Sequence, residues 1–160
     1  MPFLTAFLVA SPLLVTNVIS MRTLGTQSVV KNVILFDGVC NFCNAWVDLL
    51  MKVDRQEVFK FSALQSTKGK EILRMIGRGE NDISSVVLVK SLNEVYFKSD
   101  VPIQVLKELN GGFWLTGLLL QGFPLSLRNA VYDVVASNRY NLLGKREDCR
   151  CGDGSGRFDV

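Results

Sequence analysis

The chain has 160 residues, enough for one domain with its own hydrophobic core, so its four cysteines are not required as a disulfide framework. The 18 basic and 15 acidic residues are mixed along the chain without a basic block, which argues against nucleic acid as a partner. The sequence contains no histidine, which excludes Ser-His-Asp and Cys-His catalytic sites and histidine-ligated metals within this chain.

Residues 1–30 differ in composition from the rest of the chain. They contain a single basic residue, Arg22, no acidic residue, and several scattered serines and threonines. This composition predicts either a disordered leader or a targeting leader. We expect a targeting leader to direct the protein to an organelle, either the chloroplast or the mitochondrion. A secreted or cytoplasmic location is the alternative. Pro12 interrupts the most apolar part of the leader, so no membrane-spanning helix is expected there.

A buried strand followed by an amphipathic helix is predicted next. Val33–Phe36 is a continuous apolar run of strand length. From Cys40 to about Val53, apolar residues recur at helical spacing. Cys40 and Cys43 therefore lie in the first helical turn, where free backbone N–H groups and the helix dipole stabilise a thiolate. We expect Cys40 to be the more exposed of the two, because Cys43 lies nearer the apolar side of the helix.

The remaining sequence predicts a second strand, a helix, a β-hairpin and further helices. In chain order these are a strand at 58–61, a helix at 66–76, strands at 85–89 and 94–97, a helix from Ser99 or Asp100, an apolar segment at 113–125 and a final helix from Pro124. The apolar segment is shorter than the roughly 20 residues that span a membrane. We therefore expect it to be a buried helix or a peripheral or protein contact, with no transmembrane span. The glycine-rich tail, 149–160, is predicted to be flexible.

This order of elements predicts the fold class. A strand, a helix and a second strand call for parallel pairing with a right-handed crossover. The result is an α/β protein in which a central mixed β-sheet of about four strands is flanked by helices, with an extra C-terminal helical segment. A dithiol at the first strand-to-helix junction is the layout of a thioredoxin-like fold. We assign this domain to residues 31–148.

The Cys40-x-x-Cys43 pair predicts thiol-disulfide exchange in this setting. In this hypothesis Cys40 attacks a target disulfide, and Cys43 resolves the mixed disulfide. One alternative is a pair of buried structural thiols. Another is a zinc centre completed by Cys149 and Cys151, although zinc-binding pairs usually lie on tight turns and this pair opens a long helix.

Other polar residues near these motifs have more than one interpretation. Asp37 is either a proton acceptor that helps to deprotonate Cys43 or a strand-ending residue that binds backbone N–H groups in the turn. A carboxylate opposes formation of a nearby thiolate electrostatically, so Asp37 is not assigned a role in forming the Cys40 thiolate. Arg139 is interpreted as a helix cap or surface residue. We interpret Cys149 and Cys151 as incidental exposed thiols rather than as an electron relay to Cys43.

The motifs together resemble the thiol-disulfide oxidoreductase DCC family. The signature Asp37-x-x-Cys40-x-x-Cys43 follows an apolar strand, and further motifs agree in order. They are Phe61–Gln65, Asp82–Val89 and Ala136–Tyr140 before Gly144. The resemblance covers roughly residues 33 to 149 and is strongest to plant and algal organellar members.

This resemblance implies a thioredoxin-like fold and protein-disulfide reductase activity carried by Cys40 and Cys43. It implies no bound organic cofactor. The expected partners are protein disulfide substrates and an unidentified thiol reductant. The chain differs from thioredoxins in having Asn41 and Phe42 between the cysteines. It also lacks a proline before Val86, where thioredoxins carry a cis-proline that faces the dithiol.

Overall fold

The computed structural model describes residues 31–109, 111–152 and 156–158, so the predicted leader, 1–30, lies outside the described residues. Within them the chain forms four strands and five helices. In order these are β1 (Val33–Phe36), α1 (Asn41–Val53), β2 (Lys60–Ala63), α2 (Thr67–Met75), β3 (Val87–Ser91), β4 (Glu94–Phe97), α3 (Asp100–Glu108), α4 (Phe113–Gln121) and α5 (Leu125–Leu143).

The strands form one mixed sheet in the order β2-β1-β3-β4. β1 pairs parallel with β2 and antiparallel with β3, and β3 and β4 form an antiparallel pair. The parallel pair requires α1 to cross one face of the sheet, which places the start of α1 beside the carboxyl end of β1. The predicted thioredoxin-like α/β fold, with flanking helices and an added C-terminal helical segment, is confirmed.

Alternate residues of β1 divide the hydrophobic core into two layers. Ile34 and Phe36 belong to the layer that α1 and α3 cover. Val33 and Leu35 belong to the layer that α2 covers. All four side chains are at most 1% exposed, as expected for a strand buried on both faces. This doubly covered strand gives the loop that follows it a rigid base.

The second strand begins two residues later than the sequence predicts, at Lys60 rather than Val58. The carboxylate of Asp54 accepts hydrogen bonds from the backbone N–H groups of Val58 and Phe59, both at 3.0 Å. These amides are therefore bound to a side chain and do not pair with β1. The apolar alternation that predicted the strand does not reveal this competing acceptor.

The third strand is shifted in the same direction, from the predicted Ser85 to Val87. The backbone N–H of Val86 donates to the hydroxyl of Tyr132 at 3.0 Å. This contact joins the entrance of β3 to α5 across 46 residues of sequence. A partner so distant in the chain cannot be read from local apolar spacing.

The cap signals predict the helix boundaries well. The Ser66 hydroxyl accepts from the Gly69 N–H at 3.0 Å and begins α2. Gly77, which has a φ of +73°, follows the end of that helix. Pro124 lies directly before α5 and fixes its first turn.

Helix α4 packs closely on α3 but leaves most of its apolar surface exposed. A Cβ atom built at Gly117 would lie 2.9 Å from the Ile103 carbonyl oxygen, so this contact requires a glycine. The exposed side chains of α4 are large and apolar: Phe113, Trp114, Leu115, Leu118, Leu119 and Leu120. The segment 113–125 is thus not buried within the described chain, and its contact with a partner or membrane surface stays a prediction. Among the described helices, none is both long and apolar enough to cross a membrane.

The described residues of the tail lie against the sheet, although the sequence predicts a flexible tail. The Phe61 N–H donates to the Arg157 carbonyl at 2.8 Å, and Phe158 forms a parallel bridge with Phe61. The Arg157 guanidinium lies 2.5 Å from an Asp54 carboxylate oxygen, and both residues are buried. This ion pair and the contacts of Phe158 with the sheet hold the described tail residues in place. The boundaries of leader, domain and tail stay predictions.

Replacing Arg157 tests whether this ion pair anchors the tail. Arg157→Met leaves the Asp54 carboxylate buried without its cationic partner, and we expect the free energy of unfolding in urea to fall by about 3–5 kcal/mol. Arg55→Met, the same change at an exposed position, is the control and should stay within about 0.5 kcal/mol of wild type. Equally small losses in both variants would contradict the docked tail.

Candidate active site

Cys40 is the N-cap residue of α1, and its sulfur accepts two hydrogen bonds from Cys43. The backbone N–H of Cys43 donates to the Cys40 Sγ at 3.2 Å, and the Cys43 thiol donates at 2.7 Å. Neither cysteine is in a disulfide. The start of α1 therefore presents a backbone donor to the Cys40 sulfur and holds the two sulfurs next to each other.

Exposure of the two sulfurs is opposite to the sequence expectation. Cys40 is 0% exposed, whereas Cys43 is half-buried, so the prediction of a more exposed Cys40 is wrong. The reason is a segment that we call the C-terminal strap, residues 144–151. It runs along the loop before α1, where Lys145 forms an antiparallel bridge with Cys40 and the Arg146 N–H donates to the Val39 carbonyl at 2.8 Å.

Burial raises the pKa of the Cys43 thiol above its usual value. The hydrogen bond to Cys40 and the negative charges of Cys40 and Asp37 raise this pKa further, while the positive charge of Arg139 lowers it. Cys43 therefore keeps its proton at neutral pH and can act as the donor to Cys40. The two cysteines are chemically distinct even though one helical turn separates them.

Three segments converge on the Asp37 carboxylate, which is 3% exposed. Its Oδ1 accepts from the Gln65 side-chain amide at 2.7 Å and from the Val39 N–H at 3.2 Å. Its Oδ2 accepts from the Tyr140 hydroxyl and pairs with the Arg139 guanidinium at 3.1 Å. The Val39 contact is the turn interaction that one sequence interpretation expects of Asp37. Its role as a proton acceptor stays a proposal.

Arg139 is a site residue that the sequence interpretation missed. Its side chain is 11% exposed, donates to the Ile83 carbonyl at 3.0 Å and pairs with Asp37, so its interpretation as a cap or surface residue is wrong. Burial and the hydrogen bond to Asp37 raise the pKa of Tyr140, which keeps the hydroxyl protonated as a donor. The signal was present: Gln65, Arg139 and Tyr140 end two of the motifs that carry the family resemblance.

An apolar cleft of about 340 Å³ opens beside Cys43. Its walls come from α1, α3, α5 and the segment before β3, and they include Phe42, Trp46, Ile83, Pro102, Val131 and Val135. Asp37 and Arg139 also border the cleft, so a thiol, a carboxylate and a guanidinium face one largely apolar space. Clefts of this kind suit extended or flat apolar groups held beside a few polar ones.

Ser85 and Val86, near the position of the thioredoxin cis-proline, border the same cleft. The Val86 N–H is engaged by the Tyr132 hydroxyl, a contact that a proline could not make. Helix α5 therefore takes part in shaping the surface next to the dithiol.

The structure does not bring the four cysteines together as a metal centre. Cys149 and Cys151 form a disulfide with each other, and both are half-buried, so their interpretation as incidental exposed thiols is wrong. In the part of the chain that the structure describes, no three Cys, Asp or Glu side chains are placed to hold a metal ion together. The zinc alternative therefore has no preformed site in this arrangement.

Two substitutions test the electrostatic control of Cys43 with opposite signs. In a Cys40→Ser background with the tail disulfide intact, Asp37→Asn removes a charge that raises the Cys43 pKa, and Arg139→Gln removes one that lowers it. At pH 8, which is below the raised pKa, each unit by which the Cys43 pKa falls increases the thiolate fraction about tenfold. Iodoacetamide should therefore alkylate Cys43 severalfold faster in Asp37→Asn and severalfold slower in Arg139→Gln.

The two variants should become indistinguishable in urea, where neither charge is held near Cys43. Native alkylation rates that move in the same direction in both variants would contradict the electrostatic account.

Known proteins that are similar to this chain include members of one family. A family model for DCC1-like thiol-disulfide oxidoreductases matches residues 34–145, which include the dithiol and the Asp37 network. A chloroplastic DCC family protein of Arabidopsis thaliana is 41% identical over 119 residues, covering 74% of this chain and 69% of the relative. The uncharacterized protein YuxK of Bacillus subtilis is 35% identical over 124 residues, covering 78% and 89%. No solved structure gives a significant match. The chain belongs to the DCC1-like thiol-disulfide oxidoreductase family.

Proposed function

We propose that the protein is a thiol-disulfide oxidoreductase of the protein-disulfide reductase type, in which Cys40 attacks and Cys43 resolves. The observation that carries the proposal is the hydrogen-bonded dithiol at the start of α1, where the Cys40 sulfur accepts from both the backbone and the thiol of Cys43. Membership of the family supports the same reaction class.

The reaction transfers two electrons in two exchange steps. The Cys40 thiolate attacks one sulfur of a substrate disulfide, which forms a mixed disulfide and releases the other substrate sulfur as a thiolate. Cys43 then loses its proton and attacks the Cys40 sulfur. This forms the Cys40–Cys43 disulfide and releases the second substrate thiolate. An external thiol reductant returns the pair to the dithiol.

Formation of the mixed disulfide makes Cys43 easier to ionise. Cys40 then carries no charge and no longer accepts from the Cys43 thiol, so two of the influences that raise the Cys43 pKa disappear. Asp37 borders the same cleft as Cys43, and we propose that it accepts the Cys43 proton at this step. Arg139 favours the resulting thiolate through its positive charge.

The cleft beside Cys43 provides the route by which a substrate approaches. Cys40 itself has no exposed surface, but its sulfur lies 2.7 Å from that of Cys43, which borders the cleft. A substrate disulfide seated beside Cys43 therefore lies next to Cys40 as well. We propose that a local displacement of the C-terminal strap or of the first turn of α1 exposes Cys40 for attack.

We propose an organellar location for the protein, in a chloroplast or a mitochondrion. The acid-poor leader and the chloroplastic relative support this location, whereas the bacterial relative shows that the family is not confined to organelles.

A non-catalytic role is the second candidate function. The apolar side chains of α4 and of the first part of α5 are exposed, and Leu119 is 67% exposed. An exposed apolar surface of this kind is typical of sites that contact another protein or a membrane surface. In this alternative the thioredoxin-like domain serves as a binding module, and its dithiol is not used for turnover.

Reduction of insulin with dithiothreitol as the electron source separates the two functions. Wild type should accelerate insulin reduction, and Cys40→Ser should fall to the uncatalysed rate. In a separate incubation without dithiothreitol, reduced Cys43→Ser should accumulate a mixed disulfide between Cys40 and insulin, because both the resolving thiol and the external reductant are absent. Mass spectrometry of the trapped adduct under non-reducing conditions identifies the cysteine that carries it.

Ala45→Ser is the matched control, because it adds a hydroxyl to an exposed position of the same helix and should keep the wild-type rate. Equal rates for wild type and Cys40→Ser would contradict catalysis by this dithiol. A substrate adduct that forms on Cys43 in Cys40→Ser, and not on Cys40 in Cys43→Ser, would reverse the two roles.

A further inference from the structure

We infer that the Cys149–Cys151 disulfide is a second redox centre, which exchanges electrons with the Cys40–Cys43 dithiol of the same chain. This inference rests on the proposed function of the dithiol. It starts from the redox state of the four cysteines, because the structure contains one disulfide and one free dithiol. These are the two reactants of a thiol-disulfide exchange.

The tail disulfide lies beside the loop that leads into the dithiol. A Cβ atom built at Gly38 would lie 2.7 Å from the Cys149 sulfur, so the sulfur rests on the backbone at this glycine. Cys40 follows two residues later, and two steps of about 3.8 Å between successive Cα atoms limit its Cα to about 7.6 Å from that of Gly38. The disulfide is therefore within the reach of a small movement of the strap.

The segment that carries the disulfide is also the one that covers Cys40. The Arg150 N–H donates to the Gly38 carbonyl at 3.1 Å, and the Arg146 N–H donates to the Val39 carbonyl at 2.8 Å. A displacement of the strap that uncovers Cys40 necessarily moves Cys149 relative to it. Access to Cys40 and the position of the tail disulfide are thus mechanically linked.

A purely structural role does not account well for this disulfide. The bond joins cysteines only two positions apart, and a disulfide that closes so short a loop restricts the unfolded chain little. Both cysteines pack against the core but stay partly exposed. A disulfide that closes so short a loop next to a dithiol is better suited to exchange than to holding distant segments together.

The exchange balances within the chain. The Cys40 thiolate attacks the Cys149 sulfur, which forms a Cys40–Cys149 bond and releases Cys151 as a thiolate. Cys43 gives up its proton and attacks Cys40, which forms the Cys40–Cys43 disulfide and releases Cys149 as a thiolate. The dithiol is oxidised by two electrons, and the tail disulfide is reduced by two. The reaction is reversible, and the relative potentials of the two pairs set its direction.

Single-cysteine variants of the full chain trap the intermediate from either direction. In the first arm, Cys43→Ser carries a reduced Cys40 and an oxidised tail, so attack by Cys40 stops at a bond to Cys149 or Cys151. In the second arm, Cys151→Ser carries an oxidised Cys40–Cys43 pair, so attack by Cys149 stops at a bond to that pair. Proteolysis under non-reducing conditions and mass spectrometry identify the linked peptides.

We expect a peptide that joins Cys40 to the tail in at least one arm, in a fraction that does not change on tenfold dilution because the exchange is intramolecular. The control is Cys40→Ser with an oxidised tail, which should yield no linked peptide. A link from Cys43 in that control would overturn the assignment of Cys40 as the exchanging thiol. Absence of linked peptide in both arms overturns the second redox centre. If wild type still reduces insulin in that case, the proposed function of the dithiol stands.

Discussion

The buried carboxylate of Asp37 is the interaction on which the arrangement of the site depends. A carboxylate that loses nearly all contact with water is stable only when donors and a positive charge surround it. Gln65 reaches it from the loop after β2, and Arg139 and Tyr140 reach it from α5. Satisfying this charge therefore helps to hold α5 beside α1, and the apolar cleft next to Cys43 is lined by both helices.

The same charges that hold the fold together also differentiate the two thiols. Asp37 opposes ionisation of Cys43, while Arg139 favours it, and burial adds to the first effect. Cys40 instead receives donors from the open end of a helix and from its neighbour. The aspartate and the two cysteines of the family signature therefore interact electrostatically with one another. The aspartate organises the surroundings in which the two sulfurs differ.

Local sequence patterns were sufficient for the sheet, the helices and the position of the dithiol. The apolar run of β1 and the cap residue Ser66 act over a few residues, so their signals are visible in the chain itself. The features that could not be predicted from local patterns depend on contacts between residues that are distant in the sequence. Asp54 and Tyr132 accept hydrogen bonds from backbone N–H groups that would otherwise extend β2 and β3. Arg157 pairs with Asp54, which lies 103 residues away in the sequence. The burial of Cys40 has the same origin, because residues over 100 positions away cover it.

The different environments of Cys40 and Cys43 also determine how the pair withstands peroxide. Over-oxidation to sulfinic acid needs a sulfur that is both charged and accessible. Cys40 has no exposed surface, whereas Cys43 is half-buried but has a raised pKa that keeps it a neutral thiol. Cys40 thus lacks access and Cys43 lacks charge in the resting state. Burial of one sulfur and the raised pKa of the other therefore limit the reaction of the resting dithiol with peroxide.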